Sequence, residues 1–292
     1  MTRKDIQALI ALPISLAAAA GLAYVGSEGG HSAFGLPIFV LCVALIFLIQ
    51  WLAFAPAYIQ QTERYYDLTG SLTFLSALVL AVALNPFTDW RGWLLVGLIA
   101  LWAVRLGAFL FQRVHKTGED RRFRELKPSL TRFLLAWTLQ GLWVSFSLGA
   151  ALAAITAAHR VALGAYALLG LILWVAGFAI EVVADRQKQR FKADPKNQGR
   201  FIQTGLWAWS RHPNYFGEIV LWLGIAVIAF PALAGWQLVT LVSPIFIVVL
   251  LTRISGIPLL EKRADELWGG QSDYEAYKAI TPVLIPRRPH RS

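Results

Sequence analysis

The sequence is poor in cysteine and in charge. It contains one cysteine among 292 residues, Cys42, and this residue lies inside a long apolar run. A single cysteine excludes a disulfide within the chain and a metal site built from several cysteines, and the sequence predicts no metal site. Charged residues make up only 15% of the chain, whereas hydrophobic residues make up 57% and the mean hydropathy is +0.55. This composition excludes a soluble domain of this size and predicts an integral membrane protein.

Windows of about 20 apolar residues predict an all-α fold, a polytopic bundle of seven or eight transmembrane helices joined by cytoplasmic loops. The predicted spans are 6–25, 34–56, 68–85, 92–111, 132–155, 161–182, 217–235 and 236–252. Short helical patterns at Glu261–Trp268 and Asp273–Ile280 predict interfacial helices near the C-terminus. The sequence has no repeat with a period of 20–50 residues and no low-complexity linker, so residues 1–292 are predicted to form a single integral domain.

The basic residues predict the orientation of the spans, because cytoplasmic loops are enriched in Lys and Arg. With a cytoplasmic N-terminus, 24 of the 27 Lys and Arg residues fall in cytoplasmic segments, and the C-terminus is cytoplasmic as well. The net charge of +10 then reports membrane orientation and requires no nucleic-acid partner. The first apolar stretch is longer than the usual 7–15-residue core of a signal peptide, so it is predicted to remain as a span.

The segment Ser210–Glu218 places a cation, an imidazole, an amide, a phenol and a carboxylate at the start of an apolar run. Pro213 can begin a helix without losing a hydrogen bond, and the N–H groups after it would face the cytoplasm unpaired, where they favour an anionic cofactor group. Asn214 and Glu218 are four residues apart and share one helix face. The segment therefore predicts a ligand site at the membrane edge.

A second polar segment, Glu63–Ser71, enters the third predicted span. Glu63, Asp67 and Ser71 are predicted to lie on one helix face, at positions i, i+4 and i+8. A carboxylate at membrane depth is costly unless it has partners, so Asp67 is a candidate functional acid that is able to donate a proton. The alternative is that Asp67 only stabilises the positive end of its helix.

Charged side chains also lie near the ends of two other spans. Arg105 is about two turns from the cytoplasmic end of the fourth span, where it either extends to the membrane surface or pairs inward with a carboxylate or a ligand. At the end of the sixth span, one helix face carries acids first and cations later. These residues are Glu181, Asp185, Lys188 or Gln189, and Lys192. Such a face suits the ribose and phosphate groups of a nucleotide, although a solvated, self-paired helix face has the same pattern.

Four short motifs resemble those of the steroid 5α-reductase superfamily, and in particular its bacterial branch of formerly unknown function. The motifs are Tyr66–Ser71, Arg105–Gly107, Gly118–Phe123 and Ser210–Glu218. The resemblance covers about residues 60–286, which implies that these form the catalytic core and that residues 1–60 supply peripheral spans. It implies an NADPH-dependent reductase of a carbon–carbon double bond conjugated to a carbonyl. The enzyme would act in a bilayer, here a bacterial inner membrane, on a steroid- or isoprenoid-like lipid.

The resemblance also implies site residues. Asp67 corresponds to the acid of the family's Gln-Glu pair and Tyr66 to its Gln, which implies that both are catalytic. The residues implied to bind NADPH are Arg105, Asp120, Arg122, Asp185, Arg200, Arg211, His212, Asn214, Tyr215 and Glu218. The chain differs from the family where Trp102 replaces a catalytic tyrosine and where Ile257 and Glu261 replace a histidine and a tyrosine. These differences leave the steroid substrate and the proton donor open.

Two other functions stay open. The Arg-His-Pro-x-Tyr pattern also resembles isoprenylcysteine carboxyl methyltransferase, for which the cofactor would be S-adenosylmethionine. The density of Lys and Arg favours a cofactor with several phosphates instead, because these side chains bind phosphate oxygens. A lipid-binding or transport protein without catalysis would explain the apolar bundle but not the cluster of cytoplasmic motifs. The predicted partners are the lipid bilayer and a hydrophobic substrate.

Overall fold

The computed structural model describes residues 2–117 and 123–289, and the side chains in those ranges apart from 112–117. The chain is 77% helical and has almost no strands among these residues. The helices are α1 (Arg3–Gly26), α2 (Ile38–Ile59), α3 (Tyr66–Leu84), α4 (Trp90–Thr117), α5 (Leu130–Thr156), α6 (Ala165–Ala193), α7 (Pro213–Ala229), α8 (Val242–Val249), α9 (Ile257–Trp268) and α10 (Ser272–Ile280). A short antiparallel hairpin, β1 (Ser32–Ala33) and β2 (Leu36–Pro37), joins α1 to α2, with Ser32 opposite Pro37.

Eight helical segments among the described residues are long and apolar enough to cross a membrane, which confirms the all-α membrane bundle. The segments are Arg3–Gly26, Ile38–Ile59, Tyr66–Leu84, Trp90–Phe111, Leu130–Thr156, Ala165–Ala193, Pro213–Ala232 and Gly235–Trp268. The last segment extends beyond its predicted end at residue 252, because a π-helical turn at Leu250–Ile254 leads almost directly into α9. The short helices predicted near the C-terminus correspond to α9 and α10.

Residues 1–167 and 226–243 form one compact unit, and α5 lies at its centre. In the most apolar stretch of α5, 78% of the residues are buried, compared with 28% in α1 and in α4. Nine of the ten residues 145–154 are buried, and seven of these nine are Ser, Gly or Ala, which allow neighbouring helices to approach closely. Helices α1, α2, α3 and α4 all pack on α5. The core of this unit is therefore formed by the packing of the other helices around α5.

Polar contacts join α1 and α5 near both ends. Arg132 Nε lies 3.1 Å from Asp5 Oδ1, and the hydroxyl of Ser129 donates to the same oxygen at 2.7 Å. At the other end, the backbone N–H of His31 donates to the carbonyl of Thr156 at 2.7 Å. These contacts fix the axial register of α1 against the central helix.

Residues 168–225 and 244–292 form a second unit, in which α6 and α7 touch backbone to backbone. A Cβ placed on Gly177 would lie 2.5 Å from the carbonyl oxygen of Gly217, and a Cβ on Gly217 would lie 2.6 Å from that of Gly177. The contact recurs two turns along, where a Cβ on Gly224 would lie 2.6 Å from the carbonyl oxygen of Gly170. No side chain fits between the helices at these points, so glycine sets their separation and register.

We expect Gly217→Ala to lower the stability of the protein in detergent, because the added methyl group must push α6 and α7 apart. Overpacking of this kind costs about 1–3 kcal/mol. A lower apparent unfolding temperature would report the loss. Gly21→Ala on α1 is the matched control, because a Cβ there meets no atom within 4 Å, and it should be neutral or slightly stabilising. An unchanged unfolding temperature for Gly217→Ala would contradict the close contact.

Candidate functional site

The segment between α6 and α7 is held against the end of α6. Trp207 is buried, and its indole N–H donates a hydrogen bond to the carbonyl of Ala184 at 3.0 Å. The backbone N–H of Leu206 donates to Gln187 Oε1 at 2.9 Å, and the ammonium of Lys188 lies 4.3 Å from the centre of the Trp207 ring. These contacts set the position of the motif residues that follow directly.

The segment after α10 holds the same motif from another side. The backbone N–H of Arg211 donates to the carbonyl of Pro282 at 2.9 Å, and the hydroxyl of Ser210 donates to the carbonyl of Leu284 at 2.8 Å. Ser210 is fully buried by this contact. The backbone of the motif is therefore fixed by residues about 70 positions away in the sequence, as well as by α6.

Glu261 on α9 contacts both charged residues of the motif. Its Oε1 lies 2.6 Å from His212 Nε2, and its Oε2 lies 3.0 Å from Arg211 Nη1. The His212 ring also stacks on Tyr215, with ring centres 5.8 Å apart and an interplanar angle of 13°. Glu261 is absent from the predicted site residues, since a pairing across 49 positions leaves no trace in sequence spacing. The sequence offers two signals for it: a charge opposite to that of Arg211, and the position that the resemblance aligns with a tyrosine of the family.

His212 is buried and therefore favoured in its neutral form. Burial lowers the pKa of His212, the nearby charges of Lys188 and Arg211 lower it further, and only Glu261 raises it. A carboxylate only accepts hydrogen bonds, so Nε2 carries the proton and Nδ1 is left as an acceptor. Among the described residues, His212 Nδ1 and Arg211 Nε are buried without a hydrogen-bond partner. An unpaired buried polar atom costs about 1–3 kcal/mol, so a polar ligand would gain by pairing with these two atoms.

Two buried acids lie at the same end of α6. A Cβ on Gly217 would lie 2.7 Å from the backbone nitrogen of Glu181, so Glu181 lies beside α7 near its start. One helical turn separates Asp185 from Glu181 on α6, and one turn separates Pro213 from Gly217 on α7. Because the glycine contacts show that the two helices are antiparallel, Asp185 lies level with the first residues of α7.

The structure brings most of the predicted cofactor-binding residues to this end of α6 and α7. Asn214, Tyr215 and Glu218 are half-buried in the first turns of α7. Arg200 is exposed on the loop after α6, next to Gly199, whose carbonyl accepts a hydrogen bond from an indole N–H of α9. Asp185, Arg211, His212, Asn214, Tyr215 and Glu218 thus share one region of the second unit, with Arg200 on the adjoining loop.

Tyr66, Asp67 and Arg105 lie in the first unit instead. Tyr66 begins α3, and its hydroxyl donates a hydrogen bond to the carbonyl of Ala136 on α5 at 2.9 Å. Asp67 follows in the first turn and is half-buried. Arg105 is half-buried on α4, with its guanidinium 5.2 Å from the ring centre of Phe109. The other two predicted cofactor-binding residues, Asp120 and Arg122, lie outside the described residues.

The prediction that Glu63 shares a helix face with Asp67 is wrong. Helix α3 begins at Tyr66, so Glu63 precedes the helix. Glu63 is buried, and its carboxylate lies 2.6 Å from Lys127 Nζ. The pairing explains how a buried carboxylate is tolerated at this position, because the opposite charge offsets part of the cost of desolvation.

A cleft of about 240 Å³ opens beside the start of α3. Its lining is mainly apolar, with a few polar groups. The lining residues are Ala53, Pro56, Ala57, Gln60, Thr62, Tyr65, Thr69 and Trp137. Ligand pockets usually measure about 300–1,000 Å³, so this cleft has room for only part of a lipid.

Trp102, which the resemblance aligns with a catalytic tyrosine of the superfamily, is a core residue. It is 1% exposed and packs edge-on against Phe74, with ring centres 5.2 Å apart. Trp143 packs edge-on against both rings, with its ring centre 5.0 Å from that of Phe74 and 6.4 Å from that of Trp102. An indole in this setting serves packing, and its N–H is too weak an acid to replace a phenol as a proton donor.

Comparison with known proteins tests the family resemblance that these motifs indicate. A family model described as a protein of unknown function (DUF1295) matches residues 53–281. The chain belongs to this family. The family is part of the steroid 5α-reductase-like superfamily, which confirms the resemblance seen in the motifs. The chain is therefore a member of a reductase-like family of membrane proteins.

Individual relatives are more distant. The chain is 26% identical over 208 residues to an uncharacterised protein of Schizosaccharomyces pombe, covering 61% of this chain and 60% of that protein. It is 28% and 32% identical over 120 residues to 3-oxo-5-alpha-steroid 4-dehydrogenase 1 of Mus musculus and Rattus norvegicus. These alignments cover 41% of this chain and 41% and 40% of the two relatives. The chain thus spans between two fifths and three fifths of the length of these relatives. No solved structure matches it.

We expect Tyr277→Phe to loosen the segment that carries the motif. The buried hydroxyl of Tyr277 donates to the carbonyl of Trp207 at 2.7 Å, and burial raises the pKa of Tyr277, so the donor stays protonated. Its loss should cost about 1 kcal/mol and should speed proteolysis between residues 194 and 212, as followed by mass spectrometry. Tyr274→Phe is the control, because that hydroxyl bonds the more exposed carboxylate of Asp265. Equal protease resistance of parent and Tyr277→Phe would contradict this role.

Proposed function

We propose that this chain is an NADPH-dependent membrane reductase that transfers hydride to a carbon–carbon double bond conjugated to a carbonyl in a steroid- or isoprenoid-like lipid. The observation that carries the proposal is that two buried polar atoms, Arg211 Nε and His212 Nδ1, have no hydrogen-bond partner among the described residues. The buried acid Asp185 lies at the same end of α6 and α7. Membership of the steroid 5α-reductase-like superfamily supports the reaction class. So do the names of the two mammalian relatives, which are 3-oxo-5-alpha-steroid 4-dehydrogenases.

The polar groups of the second unit fit the parts of a dinucleotide. Arg211 and Arg200 offer guanidinium groups to phosphate oxygens, and the positive end of the α7 helix dipole favours negative charge. Asp185 offers a carboxylate that accepts from ribose hydroxyls. His212 Nδ1 offers a buried acceptor to an N–H or O–H group. The second unit thus offers hydrogen-bond donors, hydrogen-bond acceptors and cations. A ligand with amide, sugar and phosphate groups requires all three.

The proposal gives the protein two tasks. NADPH, when bound, supplies the hydride. Arg200, Arg211, Asn214 and Glu218 would bind and orient the cofactor, and Asp67 or Tyr66 would supply the acid. Asp67 is our candidate for that acid, because it is a carboxyl group in the first turn of α3, at the edge of an apolar span. A protonated Asp67 would hydrogen-bond the carbonyl oxygen of the lipid and stabilise the negative charge that develops there.

The proposal also includes the cytoplasmic face of a bacterial inner membrane as the place where the cofactor enters. The support is the distribution of Lys and Arg along the chain. A methyltransferase that uses S-adenosylmethionine is the alternative, and the same binding experiment distinguishes the two.

We expect the purified protein in detergent to bind NADPH more tightly than NADH or S-adenosylmethionine, because a 2′-phosphate finds several cations in this region. Isothermal titration calorimetry with the three ligands measures this. Asn214→Ala should keep the fold and weaken NADPH binding roughly 5- to 150-fold, since a lost buried polar contact costs about 1–3 kcal/mol. Glu218→Ala should act in the same direction.

Arg253→Ala, a change of a cation at the π-helical turn outside this cluster, is the matched control and should leave the affinity within about twofold. Equal affinity for NADPH and NADH would refute the phosphate argument, and tight binding of S-adenosylmethionine alone would favour the methyltransferase.

A second experiment separates chemistry from binding. We expect Asp67→Asn to slow reduction of an enone lipid by roughly a hundred- to a thousandfold while NADPH affinity is retained, because the change removes an acid and no phosphate contact. Turnover is measured as lipid product by mass spectrometry, with Tyr66→Phe as the matched variant. Full turnover in Asp67→Asn with loss in Tyr66→Phe would make the tyrosine the acid, and full turnover in both would refute this assignment of the site.

A further inference from the structure

The contacts of Glu261 are unusual in that each carboxylate oxygen meets a different residue of the motif. Oε1 is 2.6 Å from His212 Nε2, and Oε2 is 3.0 Å from Arg211 Nη1. The side chains of His212, Arg211 and Glu261 are 6%, 13% and 22% exposed, so all three are mostly shielded from water. Charge-assisted hydrogen bonds in such surroundings are strong and directional.

Glu261 is not needed to hold the backbone of the motif. That backbone is already bonded to the segment after α10, through Arg211 to Pro282, and its neighbour Trp207 is bonded to α6. Helix α9 also has its own anchor, because Asp265 accepts hydrogen bonds from Lys278 at 2.6 Å and from Tyr274 at 3.1 Å. The remaining effect of Glu261 is on the side chains of Arg211 and His212.

The chemistry of the contact determines the tautomer of His212. The carboxylate has no proton to donate, so Nε2 must carry the proton and the lone pair is left on Nδ1. In the described residues nothing donates to Nδ1. The charged groups around the ring are Glu261 from α9, Lys188 from α6 and the adjacent Arg211, with Tyr215 stacked on its face. Of these four residues, only Tyr215 carries an uncharged donor. The positive charges of Lys188 and Arg211 oppose protonation of Nδ1.

We propose that Glu261 is a positioning residue that fixes His212 in the Nε2–H tautomer, so that Nδ1 accepts a hydrogen bond from an N–H or O–H group of the bound dinucleotide. The inference rests on the proposed function. It adds to that function a residue outside the motif, and it assigns to His212 the role of acceptor rather than cation. Arg211, held by the other oxygen of Glu261, keeps its Nε–H as a donor at the same site.

The test uses the full chain in detergent and two independent readouts. The first is ¹⁵N NMR of histidine-labelled protein without cofactor, assigned with His212→Gln, which reports which ring nitrogen carries the proton. The second is calorimetric affinity for NADP⁺, the acid-stable form of the cofactor, measured between pH 5 and 8. The variants are Glu261→Gln, which keeps the shape and removes the charge, and Asp265→Asn, which removes the other α9 acid that is paired with Lys278.

In the parent we expect a single Nε2–H tautomer at pH 7.5, and an affinity for NADP⁺ that falls about tenfold as His212 becomes protonated below its ordinary pKa of about 6.5. Glu261→Gln should show a mixture of tautomers and an affinity about tenfold weaker at pH 7.5. Asp265→Asn should match the parent in both readouts. An unchanged tautomer and an unchanged affinity in Glu261→Gln would overturn the proposal, as would an Nδ1–H tautomer in the parent.

The two readouts separate this inference from the proposed function. A parent that binds no NADP⁺ at any pH contradicts the proposed function and the acceptor role of Nδ1. In that case the NMR result still decides whether Glu261 sets the tautomer. A parent that binds NADP⁺ with equal affinity in all variants leaves the proposed function intact and overturns the role of Glu261.

Discussion

The candidate site depends on the direct backbone contact between α6 and α7. Because Gly177 and Gly217 leave no side chain between the helices, the peptide units meet and the axial register is set to within a fraction of a turn. This register brings Asp185 level with the start of α7, where the polar motif begins. A larger residue at either glycine would separate the acids of α6 from the amide and carboxylate of α7. In a membrane, where apolar surfaces are not driven together by water, such close packing is a principal source of helix association.

In the same region, most polar groups at the edge of the apolar bundle are hydrogen-bonded. Backbone carbonyls of Trp207, Pro282 and Leu284 accept hydrogen bonds from Tyr277, Arg211 and Ser210, so the polypeptide there is well satisfied. In contrast, a ring nitrogen of His212 and Nε of Arg211 have no hydrogen-bond partner within the described part of the chain. Buried polar atoms without partners are uncommon in folded proteins, and these two support the proposal of a ligand site here.

Local features of the fold could be predicted from the sequence, and features that join distant residues could not. The spans follow from apolar windows, because the bilayer requires about 20 such residues, and the start of α7 follows from Pro213, which fits only the first turn of a helix. The contact of Glu261 with His212 depends on how α9 packs against the motif, which sequence spacing does not reveal. Glu63 was placed on the wrong element, because the first turn of α3 was assigned three residues too early and the partner, Lys127, lies across a loop. The assignment of residues 1–292 to one domain stays a prediction.

The central claim is that the end of α6 and α7 is a dinucleotide site. The most direct measurement is an experimental structure of the full chain in lipid nanodiscs with NADP⁺ bound. The account predicts cofactor density in contact with Asn214 and Glu218, with His212 Nδ1 within hydrogen-bond distance of an N–H or O–H group. Cofactor bound elsewhere on the protein, or His212 Nδ1 and Arg211 Nε both satisfied by protein atoms in that structure, would contradict the account.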